Sequence, residues 1–305
     1  MRDYFKKISE LLFNNLESNE ILILNIDAEK TDFIRFNHAK IRQAGNVNQV
    51  TLTLTMIFKR KTLTSIIRLS TDFKKDSLLL RRTLSYLRRE IPELPSDPYL
   101  IFEKNINSFE NDHTNNSLNN YEITDNILEG FKSLDMVGIL SSGSIIKGFS
   151  NSLGQFNWHE SESFNFDWST YAKTGKAIKQ NYSDQTWNQK TFDSLLLETK
   201  QKLKVIDNKE QIINPGDYKV YLSPSALNEI IDMMSWGGFS YKANKIGTSP
   251  LHLMAKGEKK LNKMVTFSEN LSNGISPKFH SDGFIKPELT ELIINGEYKK
   301  SLISP

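Results

Sequence analysis

Apolar residues along the first seventy positions change their spacing several times, and each spacing predicts a different element. An apolar residue at every third or fourth position predicts an amphipathic helix over residues 3–17. The short apolar runs at 21–26 and 33–36 predict strands. The sequence VTLTLTMIF at 50–58 alternates threonine with large apolar residues, which is typical of an antiparallel strand with one buried face. This first segment is therefore expected to be α+β.

A further strand and a second helix are predicted next. The residues KRKT turn the chain into a strand at 63–69, and leucines at helical spacing predict a helix at about 76–91, ended by Pro92 and Pro95. This helix carries four arginines on another arc: Arg81, Arg82, Arg88 and Arg89. Without interleaved aromatic residues for stacking, we interpret the arc as a solvated helix face rather than a nucleic-acid or acidic-partner surface.

An asparagine-rich segment at residues 104–120 predicts a linker between two domains, residues 1–103 and 121–305. The second domain begins with short, glycine-punctuated apolar runs that predict antiparallel strands. TFDSLLLETKQKL then predicts a helix, DYKVYLS a strand, and SPSALNEIIDMMSW another helix with Ser223 as its N-cap and Pro224 in its first position. The predicted fold class is α+β: an N-terminal antiparallel sheet with helices, followed by a sheet-rich second domain.

Composition narrows the class of protein. The 305 residues carry a net charge of +3, from 39 basic and 36 acidic side chains, which does not suggest a dedicated nucleic-acid binder. The chain has no cysteine, so disulfides and thiolate metal ligands are excluded. Its first residues lack the apolar core of a signal peptide, and no apolar run approaches the ~20 residues of a membrane span. A cytoplasmic protein is expected.

A search for catalytic motifs gives mainly negative results. None of the five histidines forms H-x-x-x-H or H-E-x-x-H, and there is no phosphate-loop or dinucleotide-binding motif. The sequence GFSNSLG does not match the G-x-S-x-G nucleophile elbow. We therefore assign no catalytic residue and no metal ligand from the sequence.

Six segments, in order, resemble the TldD/PmbA family, in which PmbA is also called TldE and which was once named for modulation of DNA gyrase. The similarity extends over roughly Arg35 to Leu302. The segments are RFNHAKIRQAG, GFSNSLG, GDYKVYLSPSALNEIIDMM, GFSYKANKIGTSPL, FHSDGF and ELIINGEYKKSL.

This resemblance implies one of two functional types. TldD-type members carry H-E-x-x-x-H on a helix, complete the metal site with a distal cysteine, and degrade unfolded peptides. PmbA-type members lack the motif and pair with TldD as non-catalytic subunits. The corresponding helix here reads NEIIDMMSWGGF, and the positions of the metal ligands hold Ile231, Asp232, Met233, Ser235 and Trp236. The resemblance thus implies no metal in this chain and zinc in a TldD-like partner.

The leading hypothesis is a non-catalytic, PmbA/TldE-like subunit of a cytoplasmic metallopeptidase complex that degrades unfolded peptides. It would hold extended peptide, for example as an added strand at a sheet edge. The candidate peptide contacts lie on two turns: Asn151, Ser152, Gly154, Gly238, Ser240 and Lys242. For each of these residues, ordinary turn chemistry is the alternative explanation.

Two other functions remain open. One is a self-sufficient peptide hydrolase with an unrecognised carboxylate or serine site, which a convergent cluster of titratable groups in a cleft would support. The other is a nucleic-acid-associated regulator, which would need a continuous basic surface.

The C-terminal end departs from the family pattern. Family members continue well past the segment NGEYKKSLISP, so part of the second sheet is expected to lie outside residues 121–305. A naturally short member, one half of a split protein and a shortened version of a longer chain are all compatible with the sequence.

Overall fold

A computed structural model describes residues 1–113, 118–272 and 274–303 of the chain. The chain forms two compact units. The N-terminal unit comprises Met1–Glu210 and Ser281–Gly283, and the C-terminal unit comprises Gln211–His280 and Phe284–Pro305. Among the described residues, no helix combines the length and apolar character needed to cross a membrane.

The N-terminal unit is built from long strands and four α-helices. Its helices are α1 (Arg2–Phe13), α2 (Phe73–Glu90), α3 (Asn120–Phe131) and α4 (Gln189–Ile206). Its strands are β1 (Glu20–Asn37), β2 (Lys40–Phe58), β3 (Lys61–Leu69), β4 (Phe109–His113), β5 (Asp135–Asn151), β6 (Phe156–Tyr171) and β7 (Ala177–Asp184). The helices and the large antiparallel sheet confirm the predicted α+β class.

All seven strands belong to one sheet in the order β3-β2-β1-β5-β6-β4, and β7 also pairs with β6. Every pairing is antiparallel except that of β4 with β6. Strand β1 lies at the centre, because it pairs with β2 over its whole length and with β5 from Ile23 to Phe36. The sheet is therefore continuous across both predicted domains.

The helices cover one face of this sheet. Alternate residues of a strand share a face, and even-numbered residues of β1 enter both apolar clusters of the unit. Leu22, Leu24 and Ile26 pack with α1 and α2, whereas Phe36 packs with α3 and α4. At one end of the sheet, odd-numbered residues such as Ile23, Ile57 and Phe149 are also buried; the rest of the odd-numbered face is called the open face below.

Aromatic side chains dominate the cluster under α3 and α4. Phe166 stacks on Trp168 with ring centroids 4.7 Å apart, and Phe131 meets both rings edge-on. These rings are buried, and aromatic contacts of this kind stabilise a core beyond the area that they bury. The alternation in SFNFDWSTY thus directs its large residues toward the helices.

Several predicted boundaries change in the structure. The first helix ends at Phe13 rather than residue 17, and the two predicted short strands 21–26 and 33–36 are parts of one strand, β1. Polar residues interrupt the apolar run on both faces of β1: Glu29 and Thr31 lie on the open face, whereas Lys30 and Asp32 lie on the helix-covered face, between the two apolar clusters.

The division into units does not follow the predicted domain boundary. Strand β4 lies within the predicted linker 104–120 and pairs with β6, so this segment is part of the N-terminal unit. Residues 114–117 of the same segment lie outside the described part of the chain. The boundary between the units falls instead after Glu210.

The C-terminal unit contains short elements around a small core. Its helices are α5 (Pro224–Ser235), α6 (Tyr241–Ile246) and α7 (His252–Ala255), and its strands are β8 (Phe267–Asn270), β9 (Leu289–Ile294) and β10 (Glu297–Tyr298). The strands form a sheet in the order β10-β9-β8. The core centres on five buried residues: Phe239, Leu251, Met254, Leu292 and Ile293.

The predicted start of α5 is confirmed, but the strand before it is not. Ser223 accepts a hydrogen bond from the backbone N–H of Ala226 at 3.3 Å, and Pro224 occupies the first turn. The segment DYKVYLS, predicted as a strand, has no strand partner among the described residues. Its apolar residues Tyr218, Val220 and Tyr221 are exposed, so the alternation here is not accompanied by burial.

Asp76 ties α2 to α1 and to the end of β3. Its buried carboxylate accepts hydrogen bonds from the Tyr4 hydroxyl at 2.5 Å and from the Ser70 backbone N–H and hydroxyl at 3.0 Å. Burial acts to raise the pKa of Asp76, but these hydrogen bonds outweigh it and hold the pKa below its ordinary value.

Asp76→Asn is therefore expected to lower the free energy of unfolding at pH 7 by about 1–3 kcal/mol. A lowered carboxyl pKa stabilises the fold above the unfolded pKa of about 3.9, and this stabilisation is lost as the pH falls through the folded value. The difference in unfolding free energy between the variant and the unchanged protein should therefore become smaller below about pH 4. Urea unfolding at several pH values tests this, with the exposed Asp3→Asn as control; a deficit that does not change with pH would contradict it.

Candidate peptide-binding surfaces

Three of the predicted contact residues form the turn between β5 and β6. The Asn151 side chain accepts a hydrogen bond from the Gln155 backbone N–H at 3.0 Å. The Ser152 hydroxyl accepts one from the Leu22 backbone N–H at 3.1 Å, which joins the turn to β1. Gly154 has φ +106°, a conformation that favours glycine. All three residues line a small pocket of about 320 Å³, but the two side chains already serve the turn.

Gln155 was not predicted from the sequence and is a buried polar residue of this corner. Its side-chain amide donates to the backbone carbonyls of Asn107 at 3.0 Å and Gly283 at 2.7 Å. At Gly283, φ is +92° and a Cβ would lie 2.7 Å from the Phe149 ring. The corner is thus fixed by buried hydrogen bonds and close packing, and its chemistry is structural.

The other three predicted residues lie at the turn between α5 and α6. The Ser240 hydroxyl accepts a hydrogen bond from the Ala243 backbone N–H at 3.2 Å and caps α6. The Gly238 carbonyl accepts from the Ser249 hydroxyl at 2.8 Å. A Cβ at Gly238 would lie 1.8 Å from a backbone oxygen, so no other residue fits there. Lys242 is exposed on α6.

The six predicted residues therefore belong to two sites in different units. Asn151, Ser152 and Gly154 lie in the N-terminal unit, and Gly238, Ser240 and Lys242 lie in the C-terminal unit. Of the second group, Ser240 lines a groove of about 680 Å³ within the C-terminal unit.

The helix α5 offers no set of metal ligands. Asp232 is the carboxylate of α5 at the position where the resemblance in the sequence implies a metal motif, and Asn228 donates a hydrogen bond to it at 3.2 Å. Within the described residues, no group of three or more His, Cys, Asp or Glu side chains could hold a metal ion. Because a zinc site needs three or four converging protein donors, the residues present do not fit one.

Carboxyl groups with lowered pKa values in the described residues serve structural pairs. Burial acts to raise the pKa of Glu20, but a salt bridge to Arg88 at 2.6 Å and a backbone hydrogen bond outweigh it. Hydrogen bonds from Lys260 and Lys299 lower the pKa of Glu297 to about 2 on the surface. Both shifts are explained by pairing with basic side chains, so they give no support to a hydrolase site.

Three of the four arginines of α2 have local partners. Arg81 donates to the Asn15 side chain at 2.8 Å, Arg88 binds Glu20, and Arg89 binds Glu90 at 2.7 Å. These contacts give three of the four arginines a role within the N-terminal unit.

A groove of the N-terminal unit lies on the open face and has a volume of about 820 Å³. It extends over the ends of β1, β2, β5, β6 and β7. Its lining includes aliphatic, polar and basic side chains: Phe33, Arg35, Arg42, Gln43, Val137, Ile139, Asp167, Ser169 and Lys179. None of them was predicted as a site residue. Arg35, Arg42 and Gln43 lie in the segment RFNHAKIRQAG, but only strand pairing brings them together with Val137, Asp167 and Lys179.

One edge of the sheet is open beside this groove. Strand β3 pairs with β2 only from Val50 to Phe58. In the described residues, the first half of β2, 40–49, therefore has a strand partner on one side only. Such an edge can accept an added strand.

Comparisons with known proteins identify the fold. No family model and no curated protein matches the sequence. A candidate DNA gyrase modulator from Thermotoga maritima is 15% identical with a TM-score of 0.71, covering 98% of this chain and 70% of that one. TldE from Thermococcus kodakarensis is 12% identical with a TM-score of 0.65, covering 98% and 69%. A candidate gyrase modulator from Bacteroides thetaiotaomicron is 11% identical with a TM-score of 0.68, covering 99% and 72%.

The chain thus shares the fold of solved TldE and gyrase-modulator proteins over nearly its whole length. That fold is the one of TldD/PmbA proteins, so the resemblance found in the sequence is confirmed at the level of the fold. At 11–15% identity, the likeness carries no assignment of activity.

Proposed function

We propose that this chain is a PmbA/TldE-like, non-catalytic subunit of a cytoplasmic metallopeptidase complex that degrades unfolded peptides. The observation that carries the proposal is a likeness to TldE over 98% of the chain, together with a helix α5 whose sequence lacks H-E-x-x-x-H. Peptide hydrolysis by this fold would then depend on a TldD-like partner that supplies zinc and its ligands.

Two features support a role in holding peptide. The single-sided edge of β2 at 40–49 offers backbone groups to an extended peptide, and the groove beside it offers side-chain contacts. The turn residues proposed as contacts differ in how free they are to contact a peptide. The side chains of Asn151, Ser152 and Ser240 are used within their turns, so Gly154 and Lys242 are the better candidates to touch a ligand.

The proposal predicts that the purified chain holds no stoichiometric zinc. The sequence has no cysteine, and its histidines are not spaced as paired ligands. Elemental analysis of protein prepared without a histidine tag should give well under one zinc atom per chain. About one tightly held zinc atom per chain would contradict the account.

Association with a TldD-like chain tests the subunit role. The two chains are produced together, only the TldD-like chain carries an affinity tag, and the eluate is analysed by light scattering after size exclusion. A stable complex is expected, because a non-catalytic subunit acts only when it is bound to its catalytic partner. Elution of the two chains as separate species at micromolar concentration would count against the subunit role.

A further inference from the structure

The groove on the open face has a floor made by cross-strand rows of side chains. One row crosses five strands, because Gln43 pairs with Arg35, Arg35 with Ile139, Ile139 with Asp167, and Asp167 with Asn181. Paired residues on one face of a sheet lie about 5 Å apart, so the row is continuous. It offers an aliphatic centre between polar and charged ends.

The neighbouring row fixes the register of this region. Phe33 pairs with Gly45, and a Cβ added at Gly45 would lie 2.8 Å from the Phe33 ring. The ring therefore lies over the glycine on the open face. This contact sets the position of Arg35, which lies two residues further along the same face.

A β-bulge brings a second arginine into the groove. Arg35 pairs with Gln43, but Phe36 pairs with Ile41, so Arg42 is an extra residue in β2. A bulge of this kind re-aims the side chain of the extra residue, and Arg42 lines the groove together with Arg35. The two guanidinium groups belong to adjacent strands.

The positive charge of the groove is not neutralised within the described part of the chain. Arg35, Arg42 and Lys179 make no hydrogen bond or ion pair with a described residue. Asp167 is the one carboxylate in the lining. This contrasts with the arginines of α2, three of which are bound to local partners.

We infer that this groove binds an extended peptide segment that carries acidic side chains, with a carboxylate held by Arg35 and Arg42. A guanidinium pair suits carboxylate oxygens because it donates several charge-assisted hydrogen bonds in a fixed geometry. Val137 and Ile139 receive the aliphatic part of the segment, and Lys179 binds a second acidic group. The inference rests on the proposed function in one respect, which is that the ligand is a peptide.

The dimensions of the groove suit a short segment. Four strand intervals separate β2 from β7, which corresponds to about 19 Å at the usual strand spacing. An extended chain of about six residues covers this distance. The lining favours peptide over single-stranded nucleic acid. Of its three aromatic residues, Phe36 and Trp168 are buried in the core under the helices, which leaves Phe33 as the ring that the groove offers, whereas nucleic-acid surfaces use several stacking rings.

Fluorescence anisotropy with labelled, unstructured ten-residue peptides tests the inference. A peptide with four glutamates should bind more tightly than the matched peptide with four glutamines, and its binding should weaken with added salt. Arg35→Gln with Arg42→Gln should weaken binding of the glutamate peptide by about tenfold or more. Lys74→Gln with Arg82→Gln, which removes two exposed charges of α2, should change it less than about twofold.

A variant that is expected to bind more tightly shows that changes in binding do not merely reflect loss of folding. Asp167→Asn removes the carboxylate of the groove and should tighten binding of the glutamate peptide by about two- to threefold. Thermal unfolding of each variant, followed by circular dichroism, verifies that the fold is intact.

The outcomes separate the inference from the proposed function. Equal binding of the two peptides, or tight binding that survives the double arginine substitution, overturns the inference and leaves the proposed function standing. Failure of every peptide to bind counts against both. Binding of a single-stranded oligonucleotide through Arg35 and Arg42, without peptide binding, overturns the inference in favour of a nucleic-acid ligand.

Discussion

Trp168→Ala is expected to lower the free energy of unfolding by about 3–5 kcal/mol. Trp168 is 1% exposed, stacks on Phe166 and meets Phe131 at 5.8 Å between ring centroids. Loss of the indole removes these contacts and leaves a cavity between the sheet and α3 that long, paired strands cannot close. Urea unfolding followed by circular dichroism measures the change.

Two further tryptophan variants make this prediction specific. The Trp168 indole N–H has no hydrogen-bond partner among the described residues, so Trp168→Phe, which keeps an aromatic ring and leaves a smaller cavity, should cost clearly less than Trp168→Ala. Trp236 is 90% exposed at the end of α5, so Trp236→Ala should have little effect. Similar losses for Trp168→Ala and Trp236→Ala would contradict the packing described for the aromatic cluster.

Arg88→Met is expected to lower the free energy of unfolding by about 2–3 kcal/mol at pH 7. Arg88 binds both oxygens of Glu20, at 2.6 and 2.8 Å, and the Glu20 side chain is 5% exposed. Removing the guanidinium leaves this carboxylate buried without its partner. The Arg88 side chain is 28% exposed, so water can enter and limits the cost.

The pH dependence provides an independent check of this salt bridge. The pKa of Glu20 is lowered in the folded chain, so the stabilisation is complete above its ordinary value of about 4.3 and is lost as the pH falls through the folded value. The deficit of Arg88→Met should therefore be largest near neutral pH and shrink in acid. Arg82→Met, which removes an exposed arginine of the same helix, is the matched control. An equal loss for both variants would contradict the role of Arg88.

Secondary structure could be predicted where burial enforces a simple period. VTLTLTMIF alternates because β2 buries Leu52, Leu54 and Met56 under the helices, and this alternation is visible in the sequence. Helix α4 and the Ser223 cap of α5 follow equally local rules. The length of β1 could not be predicted, because polar residues interrupt the apolar alternation on both faces near the middle of the strand.

Misinterpreted segments share a physical cause. DYKVYLS alternates apolar and polar residues as a strand does. Alternation shows only that one side of the segment could be buried; a strand also needs a second strand to pair with its backbone. The asparagine-rich segment around β4 has the composition of a loop, yet its backbone pairs with β6. In both cases the outcome depends on distant parts of the chain.

The candidate site shows the same limit. Arg35 and Arg42 become neighbours through a bulge, and Lys179 and Asp167 join them only through strand pairing. No sequence motif predicts that these four side chains lie together. By contrast, the turns at 151–154 and 238–242 were predicted as peptide contacts because glycine and capping residues are concentrated there. In the structure, these residues serve the backbone geometry of the turns.

Cleavage of an unstructured peptide is the most direct test of the proposed function. The chain alone, a TldD-like chain alone and the two together are assayed with and without a metal chelator. The account predicts no cleavage by this chain alone, and the fastest cleavage by the pair, abolished by the chelator. Cleavage by this chain alone that the chelator does not affect would contradict the account and identify a self-sufficient hydrolase.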